Sequence, residues 1–202
     1  MYCWRNMNRF LLICSCAFIF SSCNRANQKY DKAYFDFDSL INVQVAGLLK
    51  AQSIINKKSL INEKEEDSSF TPDSLNLANE LDVFRQLDLI NKPLFRNAYE
   101  IKDGEKDSKS NLLIRSYTAK APSPVPFVKF YYRSSPHEIK KIESVFQEEN
   151  TLYRTRRNLL LEFDDSSGPL LLKRYQLSGI QKMILNDTVN FSVSVSFSSA
   201  KH

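Results

Sequence analysis

The sequence has no cysteine beyond its first 23 residues. All four cysteines of the 202-residue chain lie in this N-terminal segment, at Cys3, Cys14, Cys16 and Cys23. The rest of the chain therefore lacks the residues for a disulfide, a thiolate nucleophile or a cysteine-bound metal. An exported domain without disulfides must rely on its hydrophobic core, which a domain of about 170 residues can supply.

Glycine and histidine are also scarce. The four glycines, at positions 47, 104, 168 and 179, are isolated, so no glycine-rich loop is available to hold a phosphate group. The two histidines, His137 and His202, have neither a second histidine nor a cysteine nearby. We therefore expect no transition-metal site and no cofactor. His137 follows Ser135-Pro136 in a predicted turn, which favours a surface residue over a catalytic base.

Charge of one sign is not in large excess. Hydrophobic residues make up 43% and charged residues 25% of the chain, as in ordinary globular proteins. The net charge of +5 includes Arg5 and Arg9, which belong to the export segment described next. The remaining excess is too small to predict nucleic-acid binding.

The first 22 residues have the pattern of a signal peptide. Arg5 and Arg9 form a positive region, and residues 10–20 form a mostly apolar stretch. This stretch is shorter than the roughly 20 residues that a membrane-spanning helix requires. Ser21 and Ser22 supply small residues at the point of cleavage. The sequence thus predicts an exported chain.

Phe20-Ser21-Ser22-Cys23 resembles the lipobox of bacterial lipoproteins, in which an apolar residue and two small residues precede a cysteine. The resemblance implies cleavage between Ser22 and Cys23 and a lipid on the Cys23 thiol. Residues 13–16 match the pattern as well, but they would leave only residues 10–13 as the apolar stretch. Ordinary cleavage with an incidental Cys23 is the alternative, and the lack of a nearby small-x-small site disfavours it.

The residues after Cys23 bear on location. In lipoproteins generally, an aspartate after the cysteine retains the protein in the inner membrane, and this chain has Asn24. Residues 24–28 contain no acidic cluster of the kind that marks surface-exposed lipoproteins in some bacteria. The resemblance therefore implies an outer-membrane lipoprotein facing the periplasm. Residues 23–33 are predicted to be a lipidated flexible tether.

Two helices are predicted next. Residues 34–55 are predicted to form the first helix, with Asp36 or Asp38 as its cap. Its apolar residues recur at helical spacing, at Phe37, Leu40, Ile41, Val45, Leu48 and Ile55. Thr71-Pro72-Asp73 predicts the start of a second helix, with Thr71 as the cap and Pro72 at the first helical position, that runs to about Leu89. Between them, residues 59–62 suggest a short strand and residues 63–67 a solvated loop.

Beyond Leu94 the periodicity changes to two. Strands are predicted at residues 95–102, 112–118, 125–133, 152–163, 170–185 and 189–198, with turns near 103–104, 122–126, 164–169 and 186–187. A break of the 170–185 strand near Gly179 is an alternative. Residues 138–149 fit either a helix or a strand. A strand is favoured because a two-residue turn at Glu149-Asn150 would place Phe146 opposite Tyr153 and Glu143 opposite Arg156. The prediction for residues 34–202 is a single α+β domain: two N-terminal helices packed on a curved antiparallel sheet of about six to seven strands.

Four clusters have simple structural explanations. Asp164-Asp165 is typical of a hairpin turn, and the S-x-x-K match at residues 198–201 lies at the chain end. A basic cluster (Arg154, Arg156, Arg157, Lys173 and Arg174) is expected to be solvated and balanced by Glu143, Glu148 and Glu149 rather than to form a lipid or partner patch. An aromatic cluster (Phe127, Phe130, Tyr131 and Tyr132) is expected in the core rather than on a ligand surface.

Three functional hypotheses follow. The first is a non-catalytic envelope scaffold, held to the membrane through Cys23, that docks on another envelope protein. The second is a carrier that holds an acyl chain between sheet and helix, by analogy with lipoprotein-carrier folds. The third is an enzyme, which the shortage of histidine, cysteine and glycine disfavours.

Replacing Cys23 with alanine should abolish lipidation and leave an uncleaved or soluble precursor, because the lipid is expected on that thiol. Metabolic labelling with a clickable fatty acid measures this directly. Equal labelling of the wild type and the Cys23→Ala variant would contradict the lipoprotein assignment.

Overall fold

An antiparallel sheet forms most of the protein in the computed structural model, which describes residues 31–164, 170–184 and 187–199. Within those residues the sheet has nine strands in the order β2-β1-β9-β8-β7-β6-β5-β4-β3. The strands are β1 (Ser53–Ile61), β2 (Lys64–Phe70), β3 (Tyr99–Lys106), β4 (Leu113–Ala119), β5 (Phe127–Tyr132), β6 (Ile139–Glu149), β7 (Tyr153–Phe163), β8 (Leu172–Met183) and β9 (Val189–Ser199).

Two α-helices accompany the sheet in the described part of the chain. Helix α1 spans Phe37–Lys50, and helix α2 spans Ser74–Arg85 and continues as a 3-10 helix, Gln86–Asn91. A second 3-10 turn covers Pro93–Phe95. Neither α-helix among the described residues is long and apolar enough to cross a membrane.

The predicted fold class is therefore wrong. The domain is mostly β, with nine strands rather than six or seven, and its two helices do not both precede the sheet. A β-hairpin separates them: α1 ends at Lys50, and residues 53–70, expected to be helix end, short strand and loop, form β1 and β2. Gln52, with φ 49°, lies in the left-handed region and turns the chain out of α1 into β1.

The hairpin was missed because β2 has no hydrophobic pattern. Every residue of β2 is exposed, and its sequence, Lys64 to Phe70, is mainly charged and serine. As an edge strand it pairs only with β1, and such charges are typical of edges that are protected from aggregation. The turn, Asn62-Glu63, has positive φ at both residues, as a two-residue type I′ hairpin turn requires.

Both helices begin at aspartate caps. The Asp36 carboxylate accepts a hydrogen bond from the Ser39 amide at 2.9 Å. Asp36 is therefore the cap of α1, as one of the two alternatives predicted. Asp73, rather than Thr71, caps α2 by accepting from the Asn76 amide at 2.7 Å. The helix therefore starts two residues later than the sequence pattern suggested.

The predictions for the later strands hold more closely. Residues 139–149 form a strand, as favoured, and β8 is not interrupted at Gly179. The predicted β6–β7 register is wrong, since Phe146 lies opposite Arg157 and Glu149 opposite Arg154. The turn is formed by Thr151-Leu152 instead of Glu149-Asn150. This shift preserves the face on which each side chain lies. Asp103-Gly104 is a bulge within β3 rather than the end of a strand.

Both helices cover one face of the sheet, which we call the helix face. Phe37 stacks on Phe130 at 6.1 Å between ring centroids, and Phe84 meets the Tyr175 ring edge-on at 5.1 Å. The cross-strand row Ile142-Leu161-Tyr175-Val195 lies beneath them and is at most 2% exposed. The apolar side of α1 thus belongs to the same core cluster as the sheet.

A buried glutamine ties α1 to the β7–β8 end of the sheet. The Gln44 side chain donates to the Leu170 carbonyl at 3.0 Å and accepts from the Leu172 amide at 2.7 Å. It therefore satisfies two backbone groups as a neighbouring strand would. This fixes the position of α1 along the sheet.

Gly179 is required where β7 and β8 approach closely. A Cβ atom at this position would lie 2.0 Å from the Arg156 carbonyl oxygen, which is backbone and cannot move aside.

We expect Gly179→Ala to lower the free energy of unfolding by about 3 kcal/mol, at the upper end for overpacking. Urea unfolding measures this. In the control Gly47→Ala, the new Cβ meets only the flexible end of Leu171. That variant should change stability by less than about 1 kcal/mol. Equal stability of the two variants would contradict the expectation.

Candidate functional site

The helices leave one end of the helix face uncovered. The cross-strand row Phe146-Arg157-Gly179-Phe191-Ile61 runs across five strands, and its exposure rises from 8% at Phe146 to 50% at Ile61. The next row, Glu148-Thr155-Gln181-Val189, lies further from the helices. We call these two rows the open end of the helix face.

A groove of about 300 Å³ lies in the open end. Its lining residues are Gln86, Phe146, Glu148, Tyr153, Thr155, Arg157, Gln181 and Met183. Gln86 is the first residue of the 3-10 helix that follows α2, and it is the residue of this helical segment that lines the groove. The volume is at the lower limit for small-molecule sites, and the groove is open to solvent.

Arg157 is the central charge of this groove. Its guanidinium donates to the Gln86 side-chain oxygen at 3.1 Å and lies 5.9 Å from the centre of the Phe146 ring. These contacts hold the side chain but occupy few of the five N–H donors of an arginine. The remaining donors are suited to a carboxylate or a carbonyl on a partner.

Tyr153 is held by its neighbour Glu148. The hydrogen bond to the Glu148 carboxylate raises the pKa of the Tyr153 phenol. The phenol therefore remains protonated at neutral pH and is a poor base. Tyrosine, phenylalanine, methionine and arginine, all present in the lining, are the residue types enriched at protein interfaces. The arrangement is better suited to binding than to acid–base catalysis.

Three carboxylates converge at the start of α1. Oxygen atoms of Asp36, Asp38 and Asp88 lie within 4.8 Å of one another. The Lys32 ammonium contacts all three, with Nζ–oxygen distances of 3.0 Å to Asp38 and 2.9 Å to Asp88. The Lys32 ammonium thus occupies the place between the carboxylates that a bound metal ion would need. The cluster is therefore explained as a structural ion-pair network.

The network favours the charged forms of its members. Burial alone would lower the pKa of Lys32, but its bonds to Asp36, Asp88 and Asp38 outweigh burial and raise it. Burial likewise opposes the charge of Asp36, yet Lys32 and Ser39 hold its pKa below the usual value. Asp88, which is nearly buried, also accepts from the Phe37 amide at 3.0 Å. The network therefore joins the first turn of α1 to the 3-10 helix.

The predicted basic cluster is dispersed over both faces. On the face opposite the helices, Arg154 pairs with Glu149, Arg174 pairs with Glu162, and Arg156 donates to Gln147 at 3.0 Å. Arg157 alone of these arginines lies in the open end. Of the predicted partners, Glu149 is confirmed, whereas Glu143 contacts Lys141 and Tyr131 instead.

The aromatic cluster belongs mainly to the core, as predicted. Phe130, Tyr131 and Tyr132 are buried, and Phe127 is half-buried. His137 lies exposed in a turn between β5 and β6. Ser22, Cys23, Asp165, His202 and residues 200–201 lie outside the described residues, so the predicted cleavage, lipidation and terminal features stay predictions.

Sequence reasoning missed the open end and the Lys32 network. Arg157 was grouped with the basic cluster, although strand parity with Phe146 and Leu159 already indicated the apolar side of β7. Lys32 was assigned to the tether, because a single lysine in a polar run carries no pattern. No protein family matches this chain, and no curated protein and no solved structure matches it significantly.

Replacing Lys32 with methionine should destabilise the domain by about 2 kcal/mol at pH 7, because three carboxylates would lose their shared counter-charge. The contribution linked to the lowered Asp36 pKa is present above its ordinary value of 3.8 and is lost as the pH falls through the folded value. The stability contribution linked to the raised Lys32 pKa is fully present below the ordinary lysine value of 10.5, and it is lost only as the pH rises above that value.

Urea unfolding at pH 7 and pH 3 tests this, and the deficit of Lys32→Met should shrink at pH 3. The matched control is Lys58→Met, which removes an exposed pair at 3.4 Å from Asp67. It should cost less than about 0.5 kcal/mol at either pH. A deficit that does not change with pH would show that Lys32 acts by packing alone.

Proposed function

We propose that this chain is a lipid-anchored envelope lipoprotein whose domain acts as a non-catalytic scaffold, docking another envelope protein through the open end of the helix face. The uncovered row from Phe146 to Ile61 carries the proposal. The anchor rests on the lipobox resemblance at Cys23. The domain from Lys32 onward is a compact unit by itself.

The chemistry of the open end indicates what the partner presents. Phe191 and Val189 are half-buried and Ile61 is half-exposed, so apolar surface is available beside a guanidinium. We expect the partner to present an apolar side chain next to a carboxylate. The apolar side chain would be buried on this apolar surface, and the carboxylate would pair with Arg157. Such central aromatic and arginine contacts carry most of the binding energy in protein interfaces.

A hydrophobic-ligand carrier is the second candidate. The helix–sheet space that it was expected to use is occupied by fully buried side chains, including Phe37, Ile41 and Leu48. The carrier function is supported instead by a solvent-open groove of about 930 Å³ near Leu60, Ile180 and Phe191, because its volume is in the range of ligand sites. Binding there would be at the rim of the sheet rather than under α1.

Adjacent residues on opposite faces give a matched test of docking. Ile61 lies on the helix face and Leu60 on the other, and both are exposed. A photo-crosslinking amino acid at position 61 should give a discrete adduct in living cells, and one at position 60 should not. Adding Arg157→Glu should reduce the adduct at least tenfold, as expected for a central arginine. Arg156→Glu, on the opposite face, should leave it unchanged.

Two results would contradict docking through this surface. The first is that positions 60 and 61 give equal amounts of adduct. The second is that Arg157→Glu keeps its melting temperature but does not reduce the adduct from position 61. Saturable micromolar binding of a fluorescent fatty acid, lost in Ile180→Asp, would favour the carrier instead.

A further inference from the structure

The segment Lys92–Asn97, which follows the 3-10 helix, presents an unusually exposed apolar side chain. Leu94 is 85% exposed, more than any other large apolar side chain in the described part of the chain. It lies in the short turn Pro93–Phe95, where the Phe95 amide donates to the Lys92 carbonyl at 2.8 Å and holds the turn. The leucine therefore projects from a defined backbone.

Three cations belong to this segment or contact it. Lys92 and Arg96 flank it and are exposed. Lys120, from the β4–β5 loop, donates from Nζ to the Asn97 carbonyl at 3.0 Å, and its amide donates to the Ala98 carbonyl at 2.9 Å. Between Asp88 and Glu100 the sequence has no acid, and the Asp88 carboxylate is nearly buried against Lys32. We call Lys92, Leu94, Arg96 and Lys120 the basic-apolar patch.

The tether enters the domain beside this patch. Asn91 accepts from the Tyr34 amide at 2.8 Å and donates to the Phe35 carbonyl at 2.9 Å. Asn91 directly precedes Lys92, so Tyr34 and Phe35 are bound next to the patch. The nine peptide bonds from Cys23 to Lys32 can span at most about 30 Å. A lipid on Cys23 would therefore keep the patch within reach of the bilayer.

We propose that the basic-apolar patch is a second membrane contact, with Leu94 inserted among the headgroups of an anionic bilayer and Lys92, Arg96 and Lys120 against lipid phosphates. A short apolar insertion combined with basic residues is the chemistry of interfacial membrane binding. The orientation of the patch toward the membrane rests on the proposed lipid anchor, but its affinity for anionic lipid does not. The contact would orient the domain on the membrane surface.

A tryptophan reporter tests the insertion directly. The only tryptophan of the sequence is Trp4, in the predicted signal segment, so residues 24–202 contain none. Leu94→Trp in that chain should shift its emission to shorter wavelength on mixing with vesicles of phosphatidylcholine and phosphatidylglycerol, and not with phosphatidylcholine alone. Leu75→Trp, at a position 69% exposed on α2, should not shift. Equal shifts at both positions would overturn the proposal.

Flotation of the unlipidated chain with the same vesicles tests the charges. Replacing Lys92, Arg96 and Lys120 with glutamine should weaken binding about fivefold per charge at low salt. Leu94→Asp should weaken it at least tenfold. The control replaces three exposed lysines elsewhere, Lys58, Lys64 and Lys102, with glutamine and removes the same charge. It should weaken binding less than twofold.

The outcomes separate this proposal from the anchor. Equal losses in the two triple variants, or no binding to anionic vesicles, would overturn the patch even if fatty-acid labelling depends on Cys23. Binding that follows the patch in a chain whose labelling is independent of Cys23 would overturn the anchor and leave the patch supported.

Discussion

The antiparallel pairing of β1 with β9 is the interaction on which the rest of the structure depends. It joins Ser53–Ile61 to β9, the last strand in the described part of the chain, along the whole length of β1. Helix α1 immediately precedes β1 and α2 closely follows β2, so placing the hairpin beside β9 brings both helices over the helix face. Without that pairing, the buried side chains Phe37, Ile41 and Leu48 would have no sheet to pack on. Strands β3 to β9 form a simple meander and need no such long-range contact.

The extent of the helix cover creates the candidate site. Helix α2 covers the row containing Tyr175, and the 3-10 helix that follows it borders the groove at Gln86, which contacts Arg157. The same continuous segment, through Asp88 and Asn91, holds the chain that arrives from the tether. One stretch of 12 residues, from Gln86 to Asn97, thus connects the proposed docking groove with the proposed membrane contact.

The elements that could be predicted are those whose pattern is local. Strand β9 alternates valine or phenylalanine with serine or asparagine, and its extent was predicted to within one residue. Residues 139–149 were recognised as a strand through a favourable cross-strand partner. The register with β7 was wrong because neither position of the turn contains glycine, so the turn chemistry did not select one. The error was even in residue number, so Phe146 and Tyr153 still lie on the same face of the sheet.

Strand β2 and the first part of β1 could not be predicted, because the information lies elsewhere in the chain. An edge strand exposed on both faces needs no apolar period, and β2 has none. The two isoleucines at the start of β1 fit the end of a helix as well as a strand, and only the partner strand β9 decides between them. The Lys32 network likewise depends on Asp88, more than 50 residues away, which no spacing rule connects to Asp36.

The sequence by itself determined the signal-peptide-like pattern of the N-terminus, the scarcity of cysteine and histidine, a helix that begins near Asp36 and the alternation of apolar and polar residues in the last strand. These follow from composition and from periodicities of two or 3.6 residues, which act between near neighbours. Tertiary structure alone decided the number of strands, the position of the hairpin between the two helices, and the open end with Arg157. A row of side chains across five strands is set by register and by where the helix cover stops, and both depend on contacts between residues far apart in the chain.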